Sequence, residues 1–189
     1  MHILFGVETN FNNGYLFDNA YKELHAKIDL SYFNDNYKRT NTAKSLLYAL
    51  DSKKLNSDII WLNGDVVFDS KILKSIFELE ESSMLVNTNS VSDEEVKYNI
   101  NNDGTINEVS KNIQDGLGEA VGINKILRSD LKEFKYQLEQ CSNNDYFEYG
   151  IELLINQNIK IYPIDISKYF CCEIDTQDDL DFVNKYLKK

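Results

Sequence analysis

Between Ser57 and Asp69 the chain reads Ser-Asp-Ile-Ile-Trp-Leu-Asn-Gly-Asp-Val-Val-Phe-Asp, an apolar run interrupted by Asn63-Gly64-Asp65. It is short, rich in Ile, Trp, Val and Phe, and bounded by polar residues, which is the make-up of a strand buried on both faces of a sheet. Such a strand has no solvated side, so helices must cover it above and below, and the chain is restricted to a layered α/β architecture. Gly64 removes side-chain bulk beside Asp65, where the backbone would approach a ligand. Ligands of open α/β sheets bind outside the carboxyl ends of the strands. A second acidic run, Cys171-Cys172-Glu173-Ile174-Asp175, lies near the other end of the chain. Together the two runs read as strand tips carrying one metal-binding carboxylate each, Asp65 and Asp175.

The rest of the chain alternates in the same way. Ile3 to Val7 reads as a first strand, Leu16 to Leu24 as a helix, and Ile28 to Phe33 as a second strand. Thr40-Asn41-Thr42 offers N-cap chemistry for a helix whose Leu46, Leu47 and Leu50 face inward. After the run ending at Asp65, Lys71 to Glu80 reads as a helix and Met84 to Thr88 as a strand. Asp103-Gly104 between the alternating runs Val96 to Ile100 and Ile106 to Val109 is a hairpin signal. Ala120 to Ile123 returns to the main sheet, helices follow around Leu131 to Leu138 and Phe147 to Leu154, and Ile159 to Ile164 is a strand. Thr176, with Asp178 and Asp179 in the first turn, caps a closing amphipathic helix. Pro163 is the only proline, and no repeat or low-complexity linker divides the sequence.

Composition excludes several classes of function. At 189 residues and 42% hydrophobic, the chain can bury the core of one domain. A formal charge of −11 sets it against nucleic acid or an anionic membrane as main partner, since both would repel it. No apolar run approaches the roughly 20 residues needed to cross a bilayer, and the first residues lack the basic start of a signal peptide, so a cytoplasmic location is expected. Cys141, Cys171 and Cys172 are odd in number and two are adjacent, which favours reduced thiols, and two scattered histidines do not make a metal cluster.

Taken in order, Asn34; Thr40-Asn41-Thr42 with Ser45-Leu46; Leu62-Asn63-Gly64-Asp65-Val66; Glu95-Val96-Lys97 with Asp103-Gly104 and Ser110-Lys111; Glu119-Ala120-Val121-Gly122-Ile123; and Glu173-Ile174-Asp175 with Asp179-Leu180 form a series along nearly the whole chain. The series resembles the nucleotidyltransferase family that includes the choline-phosphate, phosphonate and sugar-phosphate cytidylyltransferases. No single piece is specific; the order and spacing carry the likeness. The resemblance implies an α/β fold with a mainly parallel three-layer sheet, flanking helices and a small β-hairpin insertion, as one domain over residues 1–189 that is incomplete at its N-terminus. It implies transfer of CMP, or another nucleoside monophosphate, from a nucleoside triphosphate (CTP favoured) to a small phosphorylated acceptor, with release of pyrophosphate. Surface polysaccharide or lipid head-group synthesis is the setting it suggests. Residues like Asp65 and Asp175 would hold Mg²⁺ against the phosphates.

Other positions carry both a functional and a plainer reading. Lys97 and Lys111 are candidate phosphate contacts, or else a solvated strand face and a loop lysine. Asn41 and Ser45 would contact the base or acceptor, yet Thr40 to Ser45 is also what a capped helix needs. Glu119 and Glu148 would meet a cationic or hydroxyl-bearing acceptor, and as bare residues read as surface acids. Trp61, Tyr146, Phe147, Tyr169 and Phe170 could line a choline-like site, though most suit a core.

One departure stands out. The family's opening strand leads into a Gly-rich loop of the form Gly-x-Gly-x-Arg with a downstream Pro-Lys, whose backbone N–H groups and basic side chains hold the triphosphate. Here Gly6 and Gly14 are the only early glycines, no Arg precedes Arg39, and Thr9-Asn10-Phe11-Asn12-Asn13 stands in the place of a basic loop. Aligned by order, Ile3 to Val7 corresponds to the family's second strand. The middle of the sheet would then be filled by rearranged packing, or by a second copy or partner chain covering the open edge. The alternatives are a truncated enzyme, a catalytically inactive module of the same fold, and a first strand followed by a rewritten loop.

Overall fold

The computed structural model describes residues 2–6, 34–51, 55–89, 91 and 95–188. The expected helix at Leu16 to Leu24 and strand at Ile28 to Phe33 lie outside the described residues. The described chain runs through strand β1 (His2–Gly6), helix α1 (Thr42–Asp51), β2 (Ile59–Asn63), β3 (Val66–Phe68), α2 (Lys71–Glu78), β4 (Ser83–Asn87), β5 (Lys97–Ile100) and β6 (Ile106–Ser110). It continues through β7 (Gly118–Ile126), α3 (Leu131–Gln140), α4 (Phe147–Asn156), β8 (Tyr162–Asp165), β9 (Cys171–Glu173) and α5 (Gln177–Leu187).

The main sheet follows the order β1-β2-β7-β4-β8, with the β5–β6 hairpin attached to β7, while β3 and β9 pair separately. β1 is parallel to β2 and β4 to β8, and β7 runs antiparallel to both β2 and β4. Four strands of this path therefore point one way and β7 opposes them. The reason is the connection: from β4 the chain passes through a hairpin instead of a crossover helix, so it re-enters the sheet in the reverse sense. The break expected in the middle of the sheet is absent among the described residues. β1 lies directly against β2, from His2 opposite Ile59 to Gly6 opposite Asn63.

The burial expected of the apolar run is met by alternation between two cores. Ile59 and Trp61 face one cluster, with Ala43, Leu46 and Leu50 of α1, Phe134 and Leu138 of α3, and Phe147, Ile151 and Leu154 of α4. Ile60 and Leu62 face the other, against Ile72 and Ile76 of α2. Successive side chains of a strand point to opposite faces, so an unbroken apolar run is what a sheet covered on both sides requires. Trp61 stacks on Phe134 at 5.2 Å and meets Phe147 edge-on at 5.5 Å, which makes Trp61 and Phe147 core residues. The carboxyl ends of β2 and β4 and the start of β7 share one edge of the sheet, where Asn87 lies opposite Glu119.

Candidate functional site

The run from Ser57 to Asp69 is two strands, not one. β2 ends at Asn63, the chain turns at Gly64-Asp65, and Val66–Phe68 leaves the main sheet to pair with β9. Asp65 thus sits in the turn between two strands. The ladder sets Val66 opposite Glu173, Val67 opposite Cys172 and Phe68 opposite Cys171. It is extended at one end by the Ile174 N–H donating to the Asp65 carbonyl (3.0 Å), and at the other by the Asp69 N–H donating to the Phe170 carbonyl (2.9 Å). This small sheet brings two segments far apart in sequence into register. Carboxylate oxygens of Asp65, Glu173 and Asp175 all lie within 4.8 Å of one another.

Asp175 precedes the α5 cap without serving it. Thr176 and Asp179 form a reciprocal capping box, in which the Asp179 carboxylate accepts from the Thr176 N–H (2.8 Å) and the Asp175 N–H (3.3 Å). The Thr176 hydroxyl and backbone hold the Asp179 carboxyl below its ordinary range. The helix-terminal charge is thereby supplied by Asp179, and Asp175 faces Asp65 and Glu173.

Glu173 is the member that sequence reasoning did not single out. Burial, followed by the neighbouring Asp65, Asp175 and Glu95, pushes its carboxyl up to about 7, against a smaller opposing effect of the Asn63 side chain. The signal was present as period two: Glu173 and Asp175 are alternate residues of an extended segment and share a face. Three hard oxygen donors whose mutual repulsion a dication would relieve are a donor set that suits Mg²⁺.

A second group of charges stands around this one. Glu148, in the first turn of α4, is 8% exposed, so it is a buried acid and not a surface one. Desolvation pushes its carboxyl up to about 7, with Glu173 and Glu95 adding to the rise and Lys111 opposing it. Lys97 is 6% exposed at the start of β5, opposite Ser110 and Glu119, and so departs from the solvated strand face that alternation suggested. Glu119 is half-buried, with the Asn87 amide 3.5 Å away. The exposed Lys111 places Nζ 4.8 Å from the centre of the Tyr146 ring.

Asn41 and Ser45 have partners within the scaffold. The Asn41 Oδ1 accepts from the Thr42 N–H (2.7 Å), and its Nδ2 donates to the Asn144 carbonyl (3.3 Å). The Ser45 hydroxyl accepts from Asn34 Nδ2 (3.0 Å), which also reaches the Thr40 hydroxyl (2.9 Å). With Thr42 Oγ1 accepting from the Phe147 N–H at 3.0 Å, these bonds fasten α1 to the start of α4 and so fix the turn that carries Glu148.

No family model matches the sequence, and a search of curated proteins finds no match. Solved structures do match in fold. The inositol-1-phosphate CTP transferase from T. maritima superposes with a TM-score of 0.72 at 17% identity, over 94% of this chain and 70% of that one. CTP:phosphocholine cytidylyltransferase from Streptococcus pneumoniae gives 0.70 at 14% identity, over 91% and 73%. A putative glucose-1-phosphate thymidylyltransferase from Bacillus anthracis gives 0.71 at 12% identity, over 97% and 74%. The chain has the nucleotidyltransferase-like fold: a mixed α/β sheet flanked by helices. No helix among the described residues is long and apolar enough to cross a membrane.

Proposed function

We propose that this protein is a Mg²⁺-dependent nucleotidyltransferase that moves CMP, or another nucleoside monophosphate, from a nucleoside triphosphate to a small phosphorylated acceptor. The observation that carries the reading is the convergence of Asp65, Glu173 and Asp175 at the edge where the strands of the main sheet end. The likeness in fold to enzymes named for CTP transfer and for thymidylyl transfer supports the reaction class.

Asp65, Glu173 and Asp175 would hold the metal, which when bound supplies neutralisation of phosphate charge and polarises the α-phosphoryl group. An oxygen of the acceptor's phosphate attacks the α-phosphorus, the bond from that phosphorus to the bridging oxygen breaks, and pyrophosphate leaves with the bonding pair. No covalent intermediate on the protein is needed. Lys111, whose charge acts on Glu148, and Lys97, opposite Glu119, would be the basic groups for an anionic acceptor, and Glu119 and Glu148 would meet its hydroxyl or cationic part.

A second reading is an inactive binding module of the same fold, favoured by the missing Gly-x-Gly-x-Arg segment. Pyrophosphate release from CTP and Mg²⁺ with phosphocholine, inositol 1-phosphate or glucose 1-phosphate separates the two. Turnover that disappears in Asp65→Asn establishes the enzyme. Nucleotide binding by calorimetry with no pyrophosphate from any pairing overturns it in favour of the module.

A further inference from the structure

The closing helix α5 carries an aromatic face that its own domain leaves uncovered among the described residues. Val183 is its buried residue, whereas Phe182 is 58% and Tyr186 40% exposed. Both rings meet Phe170, which stacks flat on Tyr186 at 3.6 Å and lies 5.9 Å from Phe182. Phe170 is tied to the small β3–β9 sheet, its carbonyl accepting from the Asp69 N–H at 2.9 Å. The three rings therefore form a platform fixed to the domain, and an ordered aromatic surface left in water marks a contact site.

Charges beside the platform select what covers it. Asp178 and Lys185 are exposed, and neither has an ion pair or a side-chain hydrogen bond with another described residue. Seven residues apart, they lie on one side of the helix and about 10.5 Å from each other along its axis, too far to pair within one copy. Phe182 stands between them, four residues after Asp178 and three before Lys185, at the middle of Gln177–Leu187. A second copy crossing antiparallel at Phe182 reverses this order. Asp178 of each copy then meets Lys185 of the other, on either side of a contact between the two Phe182 rings. The chain's charge of −11 opposes self-association, but residues 177–189 hold three acids and three lysines, and charge farther than about 8 Å is screened at physiological salt.

We propose that the Phe170, Phe182 and Tyr186 face of α5 is the contact surface of a two-fold symmetric dimer of this chain, held in antiparallel register by reciprocal Asp178–Lys185 pairs. The proposal goes beyond the reaction class and does not depend on it.

The test is sedimentation equilibrium of the full chain at increasing concentration, with circular dichroism reporting that each variant is folded. The parent should fit a monomer–dimer equilibrium. Phe182→Ser should weaken dimerisation by roughly 100-fold or more, because a central aromatic is lost from both copies at once. Asp178→Lys and Lys185→Asp should each weaken it by roughly 10-fold, since each sets like charges opposite one another twice. Combined in one chain, the two exchanges restore opposite charges, and affinity should return to within about threefold of the parent. Leu187→Ser, exposed on the other flank of α5, should change nothing. If Phe182→Ser does not fold, the charge exchange, which touches no packed side chain, decides alone. A parent that stays monomeric up to about 100 μM overturns the proposal. So does a dimer that Phe182→Ser leaves intact, or one that the double exchange fails to restore. Each of these outcomes leaves nucleotidyl transfer, read by pyrophosphate release, where it stood.

Discussion

Replacing Glu148 by Gln should make the protein more stable in alkali and leave it unchanged in acid. Its carboxyl, ordinarily near 4.5, is pushed up to about 7 by burial first, and then by Glu173 and Glu95. A carboxyl held above its unfolded value binds more protons when folded. Stability therefore falls as the pH rises from about 4.5 through about 7 and stays lowered above that; below 4.5 both states keep the proton and the effect vanishes. At roughly 1.4 kcal/mol for each tenfold change in proton affinity, the full penalty is about 3 kcal/mol at pH 8.5 and a few tenths at pH 4. Gln keeps the shape and an acceptor oxygen but cannot ionise. For a chain of this size, a gain of that order should raise the melting temperature by roughly 6–12 °C at pH 8.5.

Melting followed by circular dichroism across pH 4 to 9 reads this directly. The two curves should coincide at the acid end and separate between pH 5 and 7. A Gln variant no more stable than the parent at pH 8.5 would refute the claim that an ionised Glu148 is held at a cost, and so would an equal gain at both ends of the range. The cost has a functional interpretation. On the proposed reading, a carboxylate kept desolvated would pair with a cationic or hydroxyl-bearing acceptor, so the stabilised variant should bind that acceptor more weakly, as stability and activity often oppose each other at a site.

Asp65→Asn should lower the rate of pyrophosphate release by on the order of 10²–10³, the effect of removing one group that stabilises the transition state, and a coupled phosphate assay measures it. It should also abolish the rise in melting temperature on adding Mg²⁺, which for the parent at 100 times its dissociation constant corresponds to about 2.7 kcal/mol. Phe134→Ala removes a fully buried ring stacked on Trp61 and should cost about 3–5 kcal/mol in urea unfolding, with no change in metal affinity relative to folded protein. Thr176→Ala removes one half of the α5 capping box and should lower stability by about 1 kcal/mol.

Among the described residues, the elements that periodicity announced lie close to where it put them. The double-faced run at Ile59 to Leu62, the inward Leu46 and Leu50 of α1, the Asp103-Gly104 hairpin and the Thr176 cap all follow from local chemistry. What local chemistry does not contain is where the chain goes between elements. The reversed β7 follows from the hairpin that precedes it, and the departure of Val66–Phe68 to pair with β9 follows from a partner far along the chain. Burial of polar side chains is hidden for the same reason. Lys97 and Glu148 look solvated as residues, and become buried only because α4, β5 and β7 close around one edge of the sheet. Glu173 was readable in principle, being two residues from Asp175 on one extended face, but a lone pairing of acids in sequence does not reveal that Asp65 would meet them.

The pairing of β1 bears on the phosphate loop that the sequence lacks. β1 runs parallel to β2 with Gly6 opposite Asn63, so the chain leaves β1 on the same edge as the Asp65 turn. A strand at that position, next to the one bearing the acidic turn, favours a first strand followed by a rewritten loop over a sheet with its middle missing. The residues after Gly6 are Val7-Glu8-Thr9-Asn10, none of them basic, so on the proposed reading they would bring no positive charge to a triphosphate. In a chain of net charge −11, the carboxylates of Asp65, Glu173 and Asp175 would by themselves repel a nucleotide. On the proposed reading, charge neutralisation would come from the cation and from lysines such as Lys97 and Lys111. The elevated carboxyl of Glu173 reflects first its burial and then the same gathering of acids at one edge, Asp65, Asp175 and Glu95.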